Sequence, residues 1–424
     1  VNNTVSGTPA PHSQPSDGIG SEDYANHLES LYQSLHRHPE LSFHEEQTSQ
    51  RIAYEMRTAG FDVTEGVGVY GVVGVLKNGD GPTVMIRTDM DALPIHEKTG
   101  LAYASETDGV MHACGHDAHM TTVIGTARQL ARQRDQWQGT LVVIGQPAEE
   151  IVSGAQAMLD DGLYQRFPRP DAVLGLHVEP SGTLPAGTVG YCSGFLTANS
   201  SSVDVTVKGV GGHGSAPEKT IDPVVLAAEL VVKLQTIVSR EVSALEPAVI
   251  TVGSIHGGTK HNIICDQVKL ELSVRCYADE TRDFLYRRIQ EVAEGVARTA
   301  RVSDDLLPVV EIRNGVPALY NDPSFTDRVV AHWHSKFGSQ FAQPVSKVMG
   351  GEDFALYGRQ SPDIPIMFFL LGSVTEEQLQ QAKRQGKDMP YVHSPHYKPA
   401  PEPTIKTGVA AMTEAALCAF QSTH

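Results

Sequence analysis

Long hydrophobic runs are missing from this sequence. The longest candidates, "IPIMFFLLG" and "AVLGLHV", are strand-sized, well short of the roughly 18 to 20 apolar residues that span a bilayer as a helix. Positive charge is scarce too: 33 Lys and Arg face 50 Asp and Glu, for a formal net charge of −17. Nucleic acid and anionic membrane surfaces both need clustered cations, so neither is an expected partner. Metal cations and small molecules fit better. Cysteine is sparse as well, and the five present (Cys114, Cys192, Cys265, Cys276 and Cys418) are an odd number at no regular spacing. That excludes a disulfide-stapled scaffold and leaves a thiol available as a metal ligand.

What is present is an ordinary globular composition, 40% hydrophobic and 20% charged over 424 residues, long enough for two domains. Residues 2–20, "NNTVSGTPAPHSQPSDGIG", are polar and rich in Gly, Pro and Ser, and read as a processed mature end or a cloning scar. A periplasmic or secreted location after signal removal, and a cytoplasmic one, both stay open. No internal repeat is visible.

Helical periodicity runs through "EDYANHLESLYQSLHRHPEL" and "EEQTSQRIAYEMRTAGF", the second closing at Gly60, as helices commonly do. The β-branched runs "GVVGVLKN", "TVMIRTDM", "TLVVIGQPAEE" and "DAVLGLHVEP" follow, with a helical stretch at about 118–134 between the second and third. This rhythm predicts an α/β sheet covered on both faces. From about 196 the order becomes β-α-β-β-α-β, that of a ferredoxin-like module. We therefore expect one α/β domain in two parts, 21–195 and 313–424, with a ferredoxin-like domain inserted at 196–312.

Polar residues gather where the strands of the first part stop. Asp89 and Asp91 follow "TVMIR", Glu149 and Glu150 follow "LVVIG", and His177 follows "AVLGL". Ligands of open α/β sheets bind at the carboxyl ends of strands. In "VMHACGHDAHM", His112, Cys114, His116 and His119 lie within eight positions beside Asp117, a donor set that a borderline-soft divalent ion accepts. The bland alternative is a surface loop with incidental histidines. Adjacent carboxylates such as Glu149 and Glu150 repel unless a cation or a proton is shared, so one is suited to ligate while the other acts as a base. With His177, and with His393 or His396 from "YVHSPHYKP", the donors suffice for two divalent metal ions if one ligand or a water bridges them.

The motifs "HRHPELSFHE", "RTDMDALPIHE", "MHACGHDAHM", "QPAEE", "GGHGSAPEKTIDPV", "HNIICDQV", "MGGEDF" and "HSPHY" occur in this order over nearly the whole chain. Together they resemble the dinuclear metallo-amidohydrolases and metallopeptidases that include bacterial N-acyl amino acid amidohydrolases, hippurate hydrolase and plant auxin-conjugate hydrolases. Aminoacylase and carboxypeptidase G are more distant relatives. The resemblance implies that Cys114, His116, Glu150, His177 and His393 are metal ligands and that Glu149 is the general acid/base. It further implies that Asp91 orients a ligand, that 21–195 and 313–424 are the catalytic metal-binding domain, and that His213 and Asn262 face the substrate from the inserted domain, a lid or dimerisation domain that also forms a homodimer contact. There are departures from the pattern. Asp89 stands where distant relatives carry a metal-binding His, and Cys114 with His116 compensates. The residue before Gln146 is not aromatic, and Cys265 replaces a common Pro.

The expected reaction is hydrolysis of the amide bond of an N-acyl amino acid or small peptide-like conjugate, through a metal-activated water and Glu149, with Zn or Mn as the metal. Arg275, in "LSVRCYA", is the candidate receptor for the substrate carboxylate; a surface strand arginine is the other reading. Two rival functions are a cysteine hydrolase with Cys114 as nucleophile and a non-catalytic metal-binding protein.

Overall fold

A computed structural model describes residues 22–180 and 184–421; the expectations placed on residues 2–20 lie outside them. The larger of two principal sheets has eight strands, in the spatial order Asp62–Val67, Gly71–Asn78, Gly139–Gln146, Thr83–Asp89, Ala172–Glu179, Ile366–Gly372, Val189–Tyr191, Ala342–Pro344. Four neighbours in the middle, Gly139–Gln146, Thr83–Asp89, Ala172–Glu179 and Ile366–Gly372, are mutually parallel. Their carboxyl ends share one edge. The outer pair Gly71–Asn78 and Asp62–Val67 is antiparallel, so the sheet is mixed.

Both faces are covered, and the strands show it residue by residue. Val84, Ile86, Leu141, Val143, Leu174, Leu176, Met367 and Phe369 point into one core, with residues of the helices Glu22–Arg37, Glu46–Thr58, His116–Arg132, Pro323–Phe337 and Pro401–Phe420. Met85, Val142, Ile144, Val173, Ile366 and Phe368 point the other way, against Met158, Tyr164, Phe354 and Tyr357. The period of two is that of a pleated strand, and the near absence of polar residues along it is what burial on both faces demands.

The second sheet is antiparallel throughout, in the order Ala248–Gly257, Gln267–Cys276, Asn199–Lys208, Val309–Val316. With helices Pro223–Thr236 and Asp279–Thr299 it has β-α-β-β-α-β connectivity and its own core, including Val203, Val205, Leu226, Leu230, Leu270, Leu272, Leu285 and Ile289. Asp222 caps the first helix by accepting the Val224 N–H at 2.9 Å, with Pro223 at the first helical position, where its missing donor costs nothing. The run "NIICDQVKLELSVRCYA" reads as one strand by its pattern but is divided. Ile263–Ile264 leaves the sheet to pair with Gly212–His213 in a separate two-stranded ribbon, and the sheet strand begins at Gln267.

All five cysteines are free thiols. Among the described residues no helix is long and apolar enough to cross a membrane.

Candidate metal centre

The site assembles at the shared edge of the parallel strands. Cys114 and His116 arrive on the bend that opens helix His116–Arg132. Gly115 makes the bend with φ of 82°, and a Cβ there would fall 2.5 Å from a methyl of Val178, so only glycine turns Cys114 and His116 toward one point. Glu149 and Glu150 sit in the tight loop after strand Gly139–Gln146. Gly154 closes that loop against the Pro147 carbonyl, where a Cβ would lie 1.5 Å from the oxygen. Ala148 within it has φ of 51°. His177 comes from strand Ala172–Glu179 and His393 from the loop before the last helix.

These five side chains form two donor sets that share one atom. Cys114, His116 and His177 bring a sulfur and two ring nitrogens within 4.8 Å of one another, and Cys114, Glu150 and His393 do the same with sulfur, carboxylate oxygen and nitrogen. The Sγ of Cys114 is 3.3 Å from Nε2 of His177, and Nε2 of His393 is 3.4 Å from Glu150. His396 is turned elsewhere, its Nδ1 3.0 Å from the Lys98 carbonyl oxygen.

Hydrogen bonds on the far side of each ring decide which nitrogen is free. His177 Nδ1 lies 2.7 Å from the Val178 carbonyl and His116 Nδ1 2.8 Å from that of Asp91. A carbonyl only accepts, so each Nδ1 carries hydrogen and each Nε2 faces the site. The Nε2 of His116 and the Oε1 of Glu150 are buried with no hydrogen-bond partner. Buried polar atoms are normally satisfied, and a cation between these atoms satisfies them. His119 is excluded by the same reasoning: its Nδ1 is 2.7 Å from Asp89 and its Nε2 accepts the Val178 N–H at 2.9 Å, so both nitrogens are used.

The electrostatics also call for positive charge. Burial pushes the Cys114 thiol and both glutamates up, and Glu352 and Asp353 push Glu149 up further. Burial, then His119, pulls His177 down to about 3, leaving it neutral with an open lone pair. At His116 burial favours the neutral ring, but Asp89 and Asp91 outweigh it and hold its pKa well above the usual range. A proton or a metal ion meets that demand equally.

Asp91 organises this arrangement from behind. One carboxylate oxygen accepts the Glu149 N–H at 3.1 Å, and the other accepts the Glu150 N–H at 3.0 Å and the Ser42 hydroxyl at 2.7 Å. Asp89 lies 3.7 Å from His116 and is bound by Arg87 at 2.8 Å. Arg87, fully buried, also donates to Gln146, Glu352 and Asp353 at 2.9, 2.9 and 3.0 Å. Arg87, Glu352 and Asp353 lie within the motifs "RTDMDALPIHE" and "MGGEDF", but the sequence assigns them no role. The signal was an arginine inside the otherwise apolar "TVMIR", since a buried cation must find anions.

The remaining candidates lie on the second sheet and its ribbon. His213 and Asn262 are exposed neighbours, Gly214 N–H donating to the Asn262 carbonyl at 2.9 Å, while the His213 ring is engaged by Ser215. Neither belongs to a donor set among the described residues. Arg275 is half-buried and donates to the Met349 carbonyl at 2.6 Å, just ahead of Glu352 and Asp353.

The sequence profile of peptidase family M20/M25/M40 matches residues 85–417. N-acetylcysteine deacetylase of Bacillus subtilis (strain 168) is 36% identical over 348 residues, 81% of this chain and 88% of the relative. Hippurate hydrolase of Campylobacter jejuni is 37% identical over 339 residues, 79% and 86% of the two chains. The crystal structure of the Bacillus subtilis YXEP protein, a dinuclear metal binding peptidase, superposes with a TM-score of 0.77 at 30% identity, covering 95% of this chain and all of that one.

Proposed function

This chain belongs to peptidase family M20/M25/M40, and on that premise we propose that it hydrolyses the amide bond of N-acyl amino acids or small peptide-like conjugates, using two divalent ions. The observation that carries the reading is the pair of donor sets joined at Cys114, with a buried ring nitrogen and a buried carboxylate oxygen otherwise unpartnered. Cys114, His116 and His177 would hold one ion, and Cys114, Glu150 and His393 the other. The thiolate favours zinc, while the imidazoles and carboxylate also suit manganese. When bound, the ions lower the pKa of a water toward roughly 7 and polarise the scissile carbonyl.

The chain's own residues do the rest. Glu149 takes the proton as the water oxygen attacks the carbonyl carbon. It returns that proton to the amide nitrogen as the C–N bond breaks, releasing a carboxylic acid and a free amine. Asp91 keeps both glutamates and His116 in register. Residues 196–312, whose last strand continues to Val316, form the lid and homodimer contact, while 21–195 and 313–424 form the catalytic unit. Asn262 and Arg275 contact the substrate, Arg275 offering its remaining N–H groups to the leaving amino acid's carboxylate. His213 of the partner subunit donates to the developing oxyanion.

A cysteine-nucleophile reading draws support from the close Cys114–His177 pair, but it needs a thiolate and an imidazolium, and burial opposes both charges here. Chelation followed by add-back of zinc or manganese decides, with N-acetylcysteine and hippurate as probe substrates. Activity is expected to vanish and return, with two ions per chain by elemental analysis. Activity indifferent to chelation, or full metal retention in Cys114→Ala with Glu150→Ala, overturns the proposal.

A further inference from the structure

Of the five side chains assigned as ligands, His393 has the least support from the core. Its side chain is 53% exposed, whereas Cys114 and His116 are buried. It also sits in an unusual conformation. Residues 391–394 form a turn closed by the Ser394 N–H donating to the Tyr391 carbonyl at 3.2 Å, and His393, third in that turn, has φ of 66°. This left-handed position favours glycine or asparagine and costs a residue with a Cβ about 1 kcal/mol or more, so the surroundings must hold it.

Three of the contacts that tie the loop down bear on how the turn is held. The His393 N–H donates to the Ala113 carbonyl at 2.8 Å, and the Lys98 N–H donates to the Pro395 carbonyl at 2.8 Å. The third is made by side chains: the Tyr391 hydroxyl donates to a carboxylate oxygen of Glu179 at 3.2 Å. Glu179 closes strand Ala172–Glu179, two residues beyond His177 and on the same face of the strand. The bond therefore joins the first residue of the turn that carries one ligand to the strand that carries another. Tyr391 is 54% exposed, so burial of its ring is not what fixes it.

We infer that Tyr391 and Glu179 are positioning residues, a clamp that holds the turn 391–394 closed on the strand end and so sets His393 for the ion it shares with Cys114 and Glu150. The inference rests on His393 being a ligand, as proposed above. It predicts a selective effect: loosening the clamp weakens that ion and leaves the one held by Cys114, His116 and His177.

The test is calorimetric titration of metal-free full-length protein with zinc, alongside thermal melting of the metal-free form. Tyr391→Phe is expected to lower affinity for one of the two ions at least about tenfold, the lower end of what loss of a partner behind a metal ligand costs, with the other ion and the metal-free melting temperature unchanged. Glu179→Leu should weaken the same ion. Glu179→Gln, which keeps an oxygen acceptor, should bind near normally, and Tyr391→Phe with Glu179→Leu should be no worse than Glu179→Leu alone. Unchanged affinity in Tyr391→Phe overturns the clamp, as does equal weakening of both ions or a fall in the metal-free melting temperature. His393→Ala separates the two layers: if it loses one ion while Tyr391→Phe loses none, only the clamp fails. If it keeps both ions, the ligand assignment falls and the clamp with it.

Discussion

Asp91 holds Glu149 by its backbone, accepting the Glu149 N–H at 3.1 Å while its second oxygen holds Glu150 in the same way. One carboxylate thus sets the spacing between the residue proposed as base and the residue proposed as ligand. Asp91→Ala is expected to weaken metal binding about 10- to 100-fold and to lower turnover even at saturating metal, because both glutamates move. Titration calorimetry with rates at saturating zinc checks it. Wild-type rates at full occupancy would show that Asp91 does not position the base.

Glu149→Gln should retain both ions and lose about 10²- to 10⁴-fold in turnover, since a base acts on the water without ligating the metal. Metal content and rate are measured on one preparation. Loss of metal would mean that Glu149 and Glu150 have exchanged roles. Near-normal turnover with both ions bound would move the proton transfer to another group.

The exposed His213, outside every donor set described, motivates a test of sharing between subunits. Glu149→Ala and His213→Ala are each expected to be inactive. Mixed dimers formed by subunit exchange should regain activity, because one of their two sites then has an intact Glu149 and an intact His213. Verified mixed dimers without activity exclude the arrangement in trans.

A different buried pair sets a pH limit on stability. His36 lies between Asp117 at 2.6 Å and Glu97 at 3.2 Å. Burial alone pulls the imidazole down, but the hydrogen bonds and charges of the two carboxylates outweigh it and raise its pKa to about 9. A raised folded-state value stabilises the fold fully below the ordinary value near 6.5 and loses that contribution as pH rises through about 9. The contribution is on the order of 3 kcal/mol. Denaturant unfolding between pH 6.5 and 9 should therefore show wild-type stability converging toward that of His36→Gln. Parallel curves across this window would remove His36 as the cause.

Much of the site was legible because its residues sit where apolar strand runs end. Asp91, Glu149, Glu150 and His177 could be placed by counting along "TVMIR", "LVVIG" and "AVLGL", and the ferredoxin-like order followed from the alternation of element types. Other features depend on partners remote in sequence. Glu352 binds Arg87 from 265 positions away, and neither residue's surroundings announce the other. The break at Cys265 and Asp266 was hidden inside an apparently continuous strand pattern, since it is set by pairing with Gly212–His213. Strands Val189–Tyr191 and Ala342–Pro344 are three residues each, too short to show a period.

The antiparallel sheet begins and ends with strands that lie side by side, Ser200 opposite Val316. Strand Ile366–Gly372 must find Ala172–Glu179 across the entire insertion, and each doubling of a flexible loop adds about 0.6 kcal/mol to closing it. Once the insertion has folded on its own core, its ends are neighbours and the effective loop is much shorter. All four strands of the small sheet precede Ile366 in the chain, so a small sheet that folds first is expected to splint the last long-range strand pairing. The candidate site, which draws on both His177 and His393, is then expected to be among the last parts of the molecule to form.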